Sequence, residues 1–347
     1  MLHPAAAPNR RRVVVAGAGG LLSCTGLLRP AFAAGEDDGP PVVDVRGWLQ
    51  RMQDAAAHRS YQGTLVFSSA GAVTSARIVH YADGAHQYEC IEWLDGQMRR
   101  LYRHNESVKA VWPEHKLVLL EPRDPVTPFP ALIQPQSDDR VAEHYELRHR
   151  GKDRIAGQEA LVTVLRPRDG LRFAQRVWTE KNTGLPLRVE ILGPRDEVLG
   201  SSAFSEVALN VKPQPEAVLQ PMRRLDGYRV LRSPMTAAAL EQEGWTLKPA
   251  VPGFRLVRTV KRPLEAPGAP AAEGDRQVLQ AVLSDGLTHV SLFIEPYAQA
   301  RHPRALHTAV GATHTAMRRH GEWWLTLVGD VPAATLRQIA QGLERRP

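Results

Sequence analysis

The 347-residue chain has room for two domains of ordinary size, and 43% hydrophobic, 23% charged and 6% aromatic residues exclude a disordered or fibrous protein. Its formal charge of +7 would suit nucleic acid, but four arginines and no acid fall in residues 1–34, leaving 40 basic against 37 acidic residues in the rest. No like-charged run remains that could follow a phosphate backbone, so nucleic acid is excluded as a partner.

Residues 1–34 read as an export signal. Asn9-Arg10-Arg11-Arg12 is a positive start, residues 13–28 are apolar, and Ala31-Phe32-Ala33 is a small-x-small cleavage site. The apolar stretch is short and Gly-rich for a membrane span. Leu21-Leu22-Ser23-Cys24 also fits a lipobox, which would make Cys24 a lipid-anchored N-terminus, and the arginines have a faint twin-arginine character. The run from Val13 to Gly20 imitates a dinucleotide-binding turn. Leu22 occupies its third glycine position, however, and Pro30 stops the helix that should follow. With Cys24 removed, Cys90 is the single cysteine of the exported chain, so no internal disulfide supports the fold and a buried, inert thiol is expected.

Asp44 caps a predicted helix through about His58, with Val45, Trp48, Leu49, Met52 and Ala56 on one face. From Ser60 the hydrophobic period becomes two. Strands are predicted over 61–68, 75–81, 87–94, 98–104, 108–112 and 116–121, separated by turns such as Asp83-Gly84 and Asp95-Gly96. A Pro-rich loop fills 122–135, and strands resume over 143–149, 158–166, 172–180, 187–192 and 198–209. The expectation is a mainly β, α+β chain whose first domain, 42–211, is one large antiparallel meander with a helix at its start. One covering helix should leave its concave face underfilled. Residues 212–235 read as a Pro-containing, unpacked connector, and 236–347 as a smaller α+β domain. In that second part Ser233-Pro234 opens a short helix that Gly244 ends, Asp285-Gly286 and His320-Gly321 mark hairpins, and Pro332 starts a last helix.

Chemistry-bearing motifs are absent from the sequence. His302, His307, His314 and His320 lie five, seven and six residues apart, a spacing that suits solvated positions rather than a metal site. No nucleophile elbow, Walker loop or Ser-x-x-Lys occurs, so no catalytic residue, metal or cofactor is expected. Phe67, Tyr81, Tyr88, Trp93 and Trp112 on the meander are the candidates for lining a greasy cavity, although each could simply fill the core.

Ser60-Tyr61-Gln62-Gly63-Thr64-Leu65-Val66-Phe67, Arg77-Ile78-Val79-His80 and Trp93-Leu94-Asp95-Gly96 resemble the first domain of the MucB/RseB family of periplasmic sigma-factor regulators. Pro252-Gly253-Phe254, Leu283-Ser284-Asp285-Gly286-Leu287, Val290-Ser291-Leu292-Phe293-Ile294-Glu295 and Val328-Gly329-Asp330-Val331-Pro332 resemble its second domain, in the family's order. The resemblance implies a lipoprotein-carrier-like half-barrel that senses lipid or lipoprotein acyl chains, and a C-terminal domain that holds the periplasmic part of a transmembrane anti-sigma factor. It implies a binding protein that shields this partner from site-one proteolysis, with a homo-oligomer open. A periplasmic lipid or lipoprotein carrier is the alternative.

The exported chain is expected to begin near Ala34. Mass spectrometry of the processed protein checks this, and an acylated Cys24 at the N-terminus would overturn it.

Overall fold

The computed structural model describes residues 44–122, 141–232, 235–263, 277–302 and 304–346. The export signal, Cys24, most of the Pro-rich loop and the 265–274 loop lie outside these residues.

Asp44 caps α1 (Val45–His58), its Oδ1 accepting from the Gly47 N–H at 2.7 Å. The strands that follow are β1 (Tyr61–Ser69), β2 (Ala72–Asp83), β3 (His86–Trp93), β4 (Arg100–His104), β5 (Ser107–Trp112) and β6 (Leu117–Pro122). After the short α2 (Val141–His144) come β7 (Tyr145–Ile155), β8 (Gln158–Pro167), β9 (Ala174–Glu180), β10 (Pro186–Leu192) and β11 (Val198–Leu209). Each run is an antiparallel meander, and β1 pairs with β11 to fuse the two into one sheet. The sheet stays open, because its outer strands do not pair with each other.

The expected unpacked connector is a correction. It holds α3 (Pro215–Arg223) and β12 (Arg229–Arg232), and β12 extends the sheet by pairing parallel to β6. Val218 and Met222 of α3 are buried against Tyr81, Tyr88, Tyr102, Val111 and Val118. Lys109 Nζ donates to the Met222 carbonyl at 2.7 Å, satisfying an acceptor in the last turn of the helix. Both faces of the sheet are therefore covered in part. Leu49 and Met52 of α1 pack on Tyr145, Leu147, Leu165, Val177 and Val189 on one face, and α3 packs on the other.

The second domain comprises β13 (Thr236–Ala237), β14 (Trp245–Leu247), β15 (Arg255–Pro263), β16 (Gln277–Ser284), β17 (His289–Pro296), β18 (Leu306–Val310), β19 (Thr313–His320), β20 (Trp323–Gly329), α4 (Ala333–Gly342) and β21 (Leu343–Arg345). Seven of its strands form a sheet in the order β13-β15-β16-β17-β20-β19-β18. Leu336, Ile339 and Ala340 of α4 bury against Ala281, Leu283, Leu292 and Leu327 of that sheet. No helix forms before Gly244. The Ala-rich segment offers little but Leu240 to bury, so Thr236–Ala237 adds to the sheet edge and one turn follows, closed by Gly244 at φ +76°.

The histidine expectation holds at His307, which is exposed on β18 with its ring 5.3 Å from that of His314, and is revised at His302. His302 is buried rather than solvated. It stacks on Trp324 at 4.8 Å and reaches Glu295 at 3.3 Å. Among the described residues no three metal-ligating side chains come together.

Cys90 is half-buried rather than buried on the α3 side of the sheet, where desolvation pushes its thiol up to about 11 and neighbouring Glu92 adds to the shift. The thiolate is the nucleophile, so alkylation of the folded chain at pH 8 is expected to be about a hundredfold slower than in denaturant. Equal rates in the two states would contradict the raised thiol value of the folded chain.

Candidate functional site

The alternation of β1–β6 sorts the five aromatic candidates by face. Phe67 pairs with Thr74, Ala76 with Trp93, and Trp112 with Leu117, which places Phe67, Trp93 and Trp112 on the side of Leu65, Ile78 and Ile91, the side that Ala55 of α1 covers. Tyr81 and Tyr88 pair with each other on the opposite side, buried under α3. The five residues therefore line no common cavity. Trp93 is half-buried with the Arg99 guanidinium 3.7 Å from its ring centroid, and Phe67 alone of the five reaches the junction with the second domain.

That junction is built on the β16–β17 turn, Asp285-Gly286, which is buried. Asp285 Oδ1 accepts from the Leu287 and Thr288 N–H groups at 3.0 and 2.9 Å, fixing the turn itself. Its Oδ2 reaches into the first domain and accepts from Tyr145 Oη at 2.9 Å and Arg172 Nε at 2.6 Å. The Arg172 and Asp285 side chains are both 0% exposed. Arg172 also donates Nη1 to Asp169 at 2.5 Å and Nη2 to the Pro252 carbonyl, so one guanidinium ties both domains. Burial, with the nearby Asp285 carboxylate, holds the Tyr145 hydroxyl well above its ordinary value, so it stays a donor.

Apolar contacts complete the seam. Leu287 leaves its own domain and packs among Leu49, Met52, Tyr145, Leu165 and Val189. Thr335 Oγ1 donates to the Leu171 carbonyl at 2.5 Å, and Phe173 meets His314 edge-on at 5.8 Å. Two glycines allow the close approach. A Cβ on Gly253 would meet the His144 ring at 2.3 Å, and one on Gly311 would meet Ser69 Oγ at 2.2 Å.

Beside this seam a cavity of about 240 Å³ opens between the domains, walled by Phe67, Gln175, Val189 and Ile191 from the large sheet and by Leu287 and Thr313 from the second domain. A second cavity of about 590 Å³ lies along α1 at Trp48, Met52 and Leu161. A polar cluster sits under the end of α1. Arg103 donates to Glu89 at 2.7 Å, His80 Nδ1 lies 3.3 Å from the same oxygen, and Tyr61 stacks on His80 at 5.0 Å. Sequence reading took Asp285-Gly286 as an ordinary hairpin turn and missed the junction. The available signal was its flanking residues, since Leu283 and Leu287 are apolar where a solvent-facing turn would be polar.

Among the described residues no helix is long and apolar enough to cross a membrane. The model of the MucB/RseB N-terminal domain matches residues 44–222, and that of the MucB/RseB C-terminal domain matches residues 239–344. Sigma factor AlgU regulatory protein MucB of Pseudomonas aeruginosa is 26% identical over 317 residues, covering 86% of this chain and 90% of that protein. Sigma-E factor regulatory protein RseB of Escherichia coli is 24% identical over 296 residues, covering 85% and 89%. The crystal structure of MucB in complex with MucA(peri) is similar with a TM-score of 0.64 at 23% identity, over 88% of this chain and 100% of that one.

Asp285→Ala removes the acceptor of the buried Arg172 Nε and Tyr145 hydroxyl and leaves Asp169 as the guanidinium's ion partner, and is expected to cost about 3 kcal/mol in chemical denaturation. Adding Arg172→Met removes the under-paired guanidinium and is expected to recover part of that loss. Simple additivity in the double-mutant cycle would refute the view that the two side chains act as one unit.

Proposed function

The chain belongs to the MucB/RseB family, and on that premise we propose that it is a periplasmic negative regulator of an envelope-stress sigma factor. In this reading it binds the periplasmic domain of a transmembrane anti-sigma factor and keeps the site-one protease from it. It performs no chemistry of its own, and acyl chains of lipid or lipoprotein release the partner. The observation that carries the reading is the presence of both family domains, in order, in one chain and clamped together at Asp285 and Arg172.

The second domain is the proposed holder of the partner. Residues 236–347 carry 13 basic against 10 acidic residues, a slight bias in favour of an acidic segment. Its sheet also ends in β18, an edge strand with Leu306 and Val310 exposed, which offers backbone groups to an extended peptide. The carrier alternative gives this domain no task, and Leu287 occupies apolar volume on the face that a carrier would reserve for cargo.

The test is a titration of the mature chain with the purified anti-sigma periplasmic domain, followed by addition of the site-one protease. Complex formation that weakens with added salt, and slower cleavage within the complex, are expected. Cleavage at an unchanged rate with the complex formed would overturn the shielding role. A domain-deletion arm should cut after residue 235, because α3 and β12 belong to the first sheet.

A further inference from the structure

The turn between β18 and β19 docks on the first domain and brings a histidine with it. Gly311 of that turn lies so close to Ser69 and the Leu199 carbonyl that a Cβ would meet both. Three residues on, His314 of β19 meets the buried Phe173 ring of the first domain edge-on at 5.8 Å. His307 of β18 sets its own ring 5.3 Å from that of His314. The Nδ1 atom of His314 is buried and has no hydrogen-bond partner among the described residues. A neutral imidazole tolerates this, because Nδ1 can be the lone-pair nitrogen while Nε2 carries the proton. The imidazolium does not, because Nδ1 then becomes a charged donor that faces no acceptor.

The surrounding groups do not repair this. Asp330, just beyond β20, favours the charged ring, but its Oδ1 already accepts from Thr313 Oγ1 at 2.5 Å. His307 opposes a second charge beside it. α4 packs on β19 with no charge in its first turn, and its single charged residue, Arg337, is exposed. The first domain brings the Phe173 ring and the Ser69 hydroxyl, neither of them charged. Burial, reinforced by His307, therefore holds the His314 ring below the ordinary histidine range despite Asp330. The two causes differ in what removes them. His307 is on the strand paired with β19 and stays beside His314 whatever the domains do. Phe173 belongs to the other domain, and its cover is lost when the seam opens. The ring takes up a proton more readily in the opened arrangement, so by linkage a falling pH favours opening. The part of the closure that depends on a neutral His314 is fully present above the ordinary value of 6.5 and is lost as the pH falls below it.

We propose that His314 is an acid-sensitive latch between the domains: neutral, it packs against Phe173 and the seam closes, and protonated, it drives the seam toward an open arrangement. This control by protons goes beyond the reading of the chain as a partner-binding regulator, and it holds whatever the partner is.

The test is hydrogen exchange of the full-length mature chain, read by mass spectrometry at seam peptides around 169–175 and 283–290 and corrected for the intrinsic effect of pH on exchange. Protection there is expected to fall about threefold between about pH 7.5 and about pH 5.5, while the β4–β5 hairpin, which makes none of these contacts, keeps its own. His314→Gln should abolish the response, and Phe173→Leu should shrink its amplitude by removing the cover from the first domain. His307→Gln should keep the amplitude and move the midpoint to higher pH, because the repulsion it removes is present in both arrangements. A thermal melt confirms that each variant is folded. Carbon-13 histidine NMR of the unmodified chain follows the His314 ring itself, as the resonance lost in His314→Gln and displaced in His307→Gln. Its midpoint should coincide with that of the seam peptides. A seam indifferent to pH, or midpoints that part company, would overturn the proposal. So would a response that survives His314→Gln, since it would then belong to another histidine at the seam, His144 or His289.

Discussion

Asp285, Arg172 and Tyr145 meet where water is excluded, and the two-domain arrangement depends on that meeting. A carboxylate and a guanidinium, each 0% exposed, can share such a place only if nearly every donor and acceptor is used. Here that condition is met. Asp285 takes two backbone N–H groups from its own turn and two side-chain donors from the other domain. Arg172 also donates to Asp169 and to the Pro252 carbonyl. A buried pair of this kind adds little net stability over an apolar substitute, but it specifies one geometry, because a displaced arrangement leaves charge buried and unpaired. The apolar Leu287 contacts supply attraction across the seam, and the ion pair sets its register.

The same logic holds inside the large sheet. An open sheet this wide must cover two faces, and it does so with α1 on one side and α3 on the other. Polar groups trapped beneath α1 are tied to one another: His80, Glu89 and Arg103 on adjacent strands, with His80 Nε2 lying 3.3 Å from the Ala57 carbonyl of the helix. This cluster links the end of α1 to β2, β3 and β4, where apolar packing alone would let the helix slide.

Local pattern made much of the fold legible. The capping Asp44, the period-two runs after Ser60 and the Asp83-Gly84 and Asp285-Gly286 turns place α1, the strands and their hairpins close to where they occur. What sequence could not show was which strands meet at a distance. The β1–β11 pairing joins residues more than a hundred positions apart, and nothing in either strand's alternation names the other. Likewise α3 carries an apolar stripe of its own, but its role in covering Tyr81 and Tyr88 exists only once β3 and β4 lie beneath it. That is why the five aromatic candidates divided between two faces: face membership follows from register, whereas membership of one cavity needs tertiary contacts.

A packed connector changes how a ligand between the domains could act. With α3 and β12 built into the first sheet, the second domain does not swing on a loose tether, so any reorientation must open the Arg172–Asp285 seam. Opening it lets water reach both charges, so the ion pair itself resists little, and the resistance comes from the apolar contacts of Leu287. Each methylene that a ligand buries returns about 0.8 kcal/mol gross, before the ligand's own ordering is subtracted. An acyl ligand shifts the domain arrangement only if it binds the opened form better than the closed one. A chain that fits the closed cavity equally well moves nothing, however tightly it is held. By reciprocity, a partner that prefers the closed seam must weaken such a ligand by the same factor by which the ligand weakens the partner. The sign of regulation is therefore set at the seam, by whether the acyl chain fits between the domains as they stand or forces them apart.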